Sequence, residues 1–180
     1  LEPQDAEVVV ALAALFHDVG MSIHREDHEA FSLFVAQDKL KDYLSQLYEP
    51  RTATILRSEV LHAIIAHRSG GTPLTVEAGV VRVADALDMA KGRSRIPFEA
   101  GTASIHSVSA AAVDWVRLDR GRERAVRITI GINNSAGIYQ LDQLLRKKLG
   151  GSLLEGYVEV DAVLTEEGTG EKRLFRSFSL

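Results

Sequence analysis

His17 and Asp18 stand side by side at the end of an apolar run, Ala6 to Phe16. An ionisable pair in such a place is costly unless something satisfies it. A divalent cation can do so, because an imidazole nitrogen and a carboxylate oxygen suit hard to borderline ions. The chain has no cysteine, so any metal must be held by His, Asp and Glu. By itself the dipeptide favours a plainer reading, a histidine closing a helix beside an exposed aspartate. The other histidines shift the balance, since five of the six lie between positions 17 and 67. His28 opens one helical segment and His67 closes another, within Ala-Ile-Ile-Ala-His-Arg-Ser. Asp85 is set among Val81, Val83, Ala84, Ala86 and Leu87. A carboxylate in that company is easier to explain as a ligand than as a solvated charge. Asp88 lies on nearly the same face and reads equally as a helix-end surface acid or as a support for the ligands.

The elements that must position these residues are helical. Ala6 to Phe16 has no breaker before Gly20, and Val19-Gly20-Met21 reads as a helix end with Gly20 near the C-cap. Asp27 is a candidate N-cap for a helix from His28 to about Leu47, with Phe31, Phe34, Val35, Leu40, Tyr43, Leu44 and Leu47 at three- and four-residue steps. Pro50 interrupts. A third helix covers about Thr52 to His67, with Ile55, Leu56, Val60, Ile64 and Ile65 as its core face, and a fourth runs from about Thr75 to Met89. Near Arg93 the pattern changes. Asp114 to Asp119 and Ala125 to Ile132 read as strands around a turn at Arg120-Gly121-Arg122. A helix from about Ala136 to Leu149 follows, opened by a capping turn at Asn133-Asn134-Ser135. Tyr157 to Leu164 is the next strand, and Arg173 to Phe178 a last one. The expected architecture is a mainly α-helical bundle, residues 1–95, followed by a smaller α+β domain, residues 96–180.

A net charge of −4 removes the global electrostatic drive toward nucleic acid, leaving no strong nucleic-acid signal. No apolar run approaches the roughly 18 residues of a membrane helix, and the absence of cysteine fits a cytoplasmic protein. The chain begins without Met directly before its first helix and reads as a fragment or a processed form.

Taken together, FHDVG, HEAFS, AIIAHRSGG and VVRVADALDM resemble, in this order, the HD-domain superfamily of metal-dependent phosphohydrolases over about residues 1 to 95. The similarity is greatest to the branch whose members use extra histidines to hold two ions, as in bacterial dinucleoside tetraphosphate hydrolases and HD-GYP cyclic-dinucleotide phosphodiesterases. The resemblance implies His17 and Asp18 as the doublet, with Asp18 the catalytic, bridging carboxylate. It implies His28 and His67 as additional ligands and Asp85 as the closing aspartate. One or two divalent ions are expected, with Mn, Fe, Mg, Co and Ni not distinguishable. Two departures stand out. The family's motif starts with a histidine on a preceding helix, and the sixteen residues before His17 contain none. Many relatives carry Lys two or three residues after the doublet's aspartate, where this chain has Gly20 and Met21. The stretch from GRSRIPFE through NNSAGIYQ to LLRKKLGGS resembles a C-terminal extension of archaeal-type HD phosphohydrolases; it is expected to form a dimer interface or to cover the active site.

The expected activity is hydrolysis of a phosphoester or phosphoanhydride of a phosphorylated small molecule, a nucleotide above all, by metal-activated water. The alternative is an HD-like ligand-binding or regulatory module with lost or secondary turnover. Arg68, beside His67, and Arg93 and Arg95 in Lys91-Gly92-Arg93-Ser94-Arg95 are candidate phosphate contacts. For the basic run a solvated loop is an equal reading. His24 is a candidate substrate contact or a surface loop residue. His62 is about 140° round a helix from His67 and reads as a core histidine or one that supports the ligands. His106 has no chemical case.

Overall fold

The computed structural model describes residues 2–89, 109, 111–166 and 170–175. The chain gathers into two compact units, Leu1–Asp85 with Gly151–Leu153, and Ala86–Gly150 with Leu154–Leu180.

The first unit is built from four helices, α1 (Pro3–Phe16), α2 (His28–Leu44), α3 (Pro50–Ala66) and α4 (Val76–Leu87), with a single 3₁₀ turn at Val19–Ser22. Pro50 does not merely interrupt: it occupies the first turn of α3, where its missing N–H costs nothing. Glu49 caps the same helix end, its carboxylate accepting from the N–H groups of Thr52 at 2.7 Å and Arg51 at 2.9 Å. α3 packs against both α1 and α2. The core joins Val9 and Ala13 of α1, Ala36, Leu40 and Leu44 of α2, Leu56, Val60 and Ile64 of α3, and Ala78 and Val81 of α4. Each buried Leu, Ile or Val contributes about 1.5–3 kcal/mol.

On α2 the buried ridge is Ser32, Ala36, Leu40 and Leu44, spaced by four. Phe34, Tyr43 and Leu47, which belong to the recurring apolar positions of the sequence, are exposed. Phe34 lies about 200° round the helix from Ser32, and Leu47 falls beyond the helix end. Ile55 of α3 is likewise partly exposed. Asp27 precedes α2 as expected, but not as a side-chain cap. Its backbone sits in the left-handed region at φ 57°, and its carbonyl rather than its carboxylate takes up the N–H groups of Ala30 and Phe31.

The second unit holds a four-stranded sheet in the order β1 (Val113–Arg120), β2 (Val126–Ile132), β3 (Val158–Glu166), β4 (Gly170–Phe175). β1 and β2 form the expected antiparallel hairpin, and β3 pairs with β4 in the same sense. β2 and β3 are parallel. A parallel neighbour needs a crossover, and the chain supplies it as α5, which opens at Gly137–Gln140, widens through a π-helical stretch at Leu141–Arg146 and closes at Lys147–Leu149. The capping turn is present: Asn134 Oδ1 accepts from the N–H of Ala136 at 2.9 Å. β4 begins at Gly170, three residues earlier than Arg173, the expected start, because pairing with β3 extends back to Glu166 opposite Gly170. Ile128, Ile130, Ile132, Val160 and Ala162 are buried on one face of the sheet. On the other, the Trp115 ring lies against Gly131, where a Cβ would meet Cε2 at 2.3 Å.

Candidate metal centre

The helix ends of the first unit bring the chemistry together. The last four carbonyls of an α-helix have no partner within it. His17 follows α1 as its C-cap, and its Nδ1 lies 2.8 Å from the carbonyl oxygen of Ala14. His67 follows α3 in the same way, with Nδ1 2.5 Å from the carbonyl oxygen of Ile64. His28 opens α2, and its Nδ1 lies 3.0 Å from the carbonyl oxygen of Arg25. A carbonyl oxygen only accepts, so each of these rings carries its proton on Nδ1 and presents the lone pair of Nε2. Each histidine thus closes a stretch of its own backbone while its other nitrogen stays available as a donor to a metal.

Those Nε2 atoms converge on Asp18. Asp18 Oδ1 is 3.1 Å from His28 Nε2 and 3.8 Å from His67 Nε2. Asp18 Oδ2 is 3.6 Å from His17 Nε2, which in turn is 4.0 Å from Asp85 Oδ1. The His17 and His67 rings meet edge to face with centroids 5.0 Å apart, and those of His28 and His67 are 5.8 Å apart. Ligand atoms of Asp18, His28 and His67 all lie within 4.8 Å of one another. Two ligands of one ion at about 2.1 Å are about 3.0–3.4 Å apart at octahedral or tetrahedral angles, so the spacing suits a divalent cation. The donors, imidazole nitrogen and carboxylate oxygen, suit Mn, Fe, Co, Ni or Zn. His67 is buried, while Asp18 is about a third exposed, leaving a path from solvent. Glu29 Oε2 stands 3.4 Å from His28 Nδ1, on the side of the ring that faces the Arg25 carbonyl.

Two features that sequence reading did not identify hold the doublet in place. Ser32, fully buried on α2, donates from Oγ to the His17 carbonyl at 2.7 Å and accepts from the N–H of Gly20 at 2.8 Å. Gly20 is pressed against the same helix: a Cβ there would lie 2.1 Å from the His28 carbonyl oxygen and 2.4 Å from the Ser32 nitrogen. Its φ is not positive, so Gly20 serves by close approach and not as the left-handed C-cap expected from the sequence. The same closeness leaves no room for a lysine side chain at position 20.

The remaining candidates lie elsewhere or outside the described residues. Arg68 is exposed next to His67. His24 is an exposed loop residue whose Nδ1 accepts from the N–H of Glu26 at 3.1 Å. Asp88 is exposed. Arg93, Arg95 and His106 fall outside the described residues. His62 is half-buried, outside the core; its Nε2 accepts from the N–H of Leu74 at 3.0 Å and ties down the chain after α3.

The family model for the HD domain matches residues 1–90, half of the chain and all of the helices that carry the cluster. The chain belongs to the HD-domain family. HD domains are generally metal-dependent hydrolases, and the donor set above is of the kind they use. The chain is also similar to the uncharacterized protein MJ1020 of Methanocaldococcus jannaschii, 41% identical over 164 residues, which covers 91% of this chain and 63% of that protein. The similarity therefore runs through both units of the HD protein described here, which spans less than two thirds of its relative. No solved structure matches the chain. Among the described residues no helix is long and apolar enough to cross a membrane.

Proposed function

We propose that this HD protein is a metal-dependent phosphohydrolase that cleaves a phosphoester or phosphoanhydride of a small phosphorylated molecule, a nucleotide above all. One observation carries the reading: three histidines with Nδ1 committed to backbone carbonyls turn their Nε2 atoms toward the two oxygens of one aspartate. Asp18 Oδ1 faces His28 and His67, and Oδ2 faces His17, which also faces Asp85. Asp18, His28 and His67 would hold a divalent ion, and His17 with Asp85, facing the other carboxylate oxygen of Asp18, would offer donors to a second.

When bound, divalent ions supply Lewis acidity and a hydroxide nucleophile at neutral pH. The protein's own share is positional. The backbone-locked imidazoles cannot rotate away, and Asp18 is exposed enough to meet a substrate phosphoryl group. Phosphoryl transfer asks for charge stabilisation more than for covalent chemistry. Position 20 cannot supply it, so the arginines are the proposed donors: Arg68 beside His67, and Arg93 and Arg95 in the chain that follows α4. His24 is proposed as a further substrate contact.

The test is hydrolysis of a panel of nucleoside mono-, di- and triphosphates, dinucleoside polyphosphates and cyclic dinucleotides by metal-stripped protein supplied with Mn²⁺, Fe²⁺ or Mg²⁺. Turnover should require the ion and vanish in Asp18→Ala. Arg93→Ala or Arg95→Ala should lower kcat/KM at least about tenfold, about 1.4 kcal/mol of transition-state binding, with metal content unchanged. Metal-independent turnover, or none with any ion, overturns the assignment.

A further inference from the structure

Arg82 is an arginine inside an apolar helix, in Val80-Val81-Arg82-Val83-Ala84-Asp85. Its side chain does not turn to solvent: the residue is 6% exposed. A guanidinium buried to that degree needs acceptors. It finds them at the end of α3, where one terminal nitrogen lies 3.2 Å from the carbonyl oxygen of Ala66, 3.0 Å from that of Arg68 and 2.7 Å from that of Gly71. Burial pulls its pKa below the ordinary arginine value, yet a guanidinium with this group of carbonyls around it stays charged.

The place of these acceptors matters more than their number. Ala66 and Arg68 flank His67 on either side. Their carbonyls lie at the negative end of the α3 dipole, which favours a cation there. The chain then doubles back through Gly70, at φ 76°, so tightly that a Cβ on Gly71 would lie 2.4 Å from the Ala66 oxygen. Arg82 holds this fold-back from the side of α4. Three residues further along α4, on nearly the same face, is Asp85, whose carboxylate stands 4.0 Å from His17 Nε2. One turn of α4 therefore both contributes Asp85 to the cluster and grips the two peptide groups adjoining His67.

We propose that Arg82 is a positioning residue of the metal centre, clamping the His67 segment of α3 to the Asp85 turn of α4 so that His67 Nε2 and the Asp85 carboxylate keep the spacing an ion requires. The inference rests on the metal-site reading above. An arginine suits the task because it reaches several carbonyls while remaining charged. A lysine at the same position retains the charge but not the reach or the planar array of donors.

Mn²⁺ binding to the metal-stripped 180-residue chain, followed by calorimetry, tests this. The set comprises the wild type, Arg82→Met, Arg82→Lys and Leu44→Ala, with far-UV circular dichroism of each apoprotein. Leu44 is a fully buried core residue at the opposite end of α2 from His28, so its truncation destabilises the bundle without touching the clamp. Arg82→Met should lower Mn²⁺ affinity at least tenfold with helical content retained, Arg82→Lys should recover part of the loss, and Leu44→Ala should bind as the wild type does. Wild-type affinity in a folded Arg82→Met overturns the proposal, as does an equal loss in Leu44→Ala. Should Arg82→Met fail to fold, Arg82→Lys decides: reduced affinity supports the clamp, and wild-type affinity refutes it. A wild type that binds no Mn²⁺ overturns the metal reading itself, and the clamp with it.

Discussion

Replacing Ser32 by alanine removes a single oxygen atom from a fully buried site and leaves every apolar contact of α2 in place. That oxygen serves two main-chain groups of the doublet segment: it donates to the His17 carbonyl at 2.7 Å and accepts from the Gly20 N–H at 2.8 Å. The Gly20 contact is buried, so its N–H would lose its partner with no water to replace it, which costs about 1–3 kcal/mol. The His17 carbonyl is only partly buried, and water can take up some of its capacity, so its share is about 0.5–1 kcal/mol. Ser32→Ala should therefore destabilise the helical unit by about 1.5–4 kcal/mol. Urea unfolding at neutral pH, monitored by circular dichroism, measures this through a lower midpoint at constant m. The same variant should bind Mn²⁺ more weakly, because the peptide groups that orient His17 and Asp18 lose their anchor on α2. A loss below about 0.5 kcal/mol, together with unchanged metal affinity, would show that the hydroxyl neither holds the doublet nor carries an unreplaced hydrogen bond.

Other outcomes follow from the same geometry. Gly20→Ala should be more damaging than Ser32→Ala, since its Cβ would collide with backbone rather than with a flexible side chain; a variant with wild-type melting temperature would contradict the close approach. His67→Ala should reduce metal content, by elemental analysis, without loss of helical signal, because Leu56, Val60 and Ile64 keep α3 in the core. The Glu49 carboxylate is held below its ordinary 4.5, first by the Thr52 side chain and then by the N–H groups of Arg51 and Thr52. A lowered pKa stabilises the fold above the unfolded value and stops doing so as pH falls through the folded one. Glu49→Gln should thus be less stable than the wild type at pH 7, and the difference should start to shrink as pH falls past about 4.5 and vanish only below the lowered folded value; a gap independent of pH would refute the assignment.

The residues that face one another in this centre were readable in the sequence because each is a chemical exception to its surroundings: an imidazole or carboxylate at the end of an apolar helix. Helix ends also explain why they converge, since short connections place successive ends at one side of a bundle. The devices that hold them were harder to read. Ser32 belongs to the buried ridge of Ala36, Leu40 and Leu44, and its four-residue spacing was a usable signal obscured by the more conspicuous Phe34, which faces outward. Arg82 is a charge in a valine-rich run that the sequence analysis passed over, and periodicity cannot say whether such a residue escapes to solvent or finds carbonyls at the end of another helix. The hydrogen bond of His62 was illegible for a related reason: its partner, the N–H of Leu74, is twelve residues away in a loop. In the second unit the hairpin and the crossover helix followed from alternation and turn residues, whereas the start of β4 depends on a register that only pairing with β3 fixes.

The central claim is that His28 and His67 bind a divalent ion through Nε2 together with Asp18. Anomalous diffraction from crystals of the protein grown with Mn²⁺ tests it most directly. The account predicts a peak within about 2.0–2.6 Å of Nε2 of both histidines and of Asp18 Oδ1, with each Nδ1 still on its backbone carbonyl. A peak elsewhere, rings turned to coordinate through Nδ1, or no peak at millimolar Mn²⁺ would contradict it.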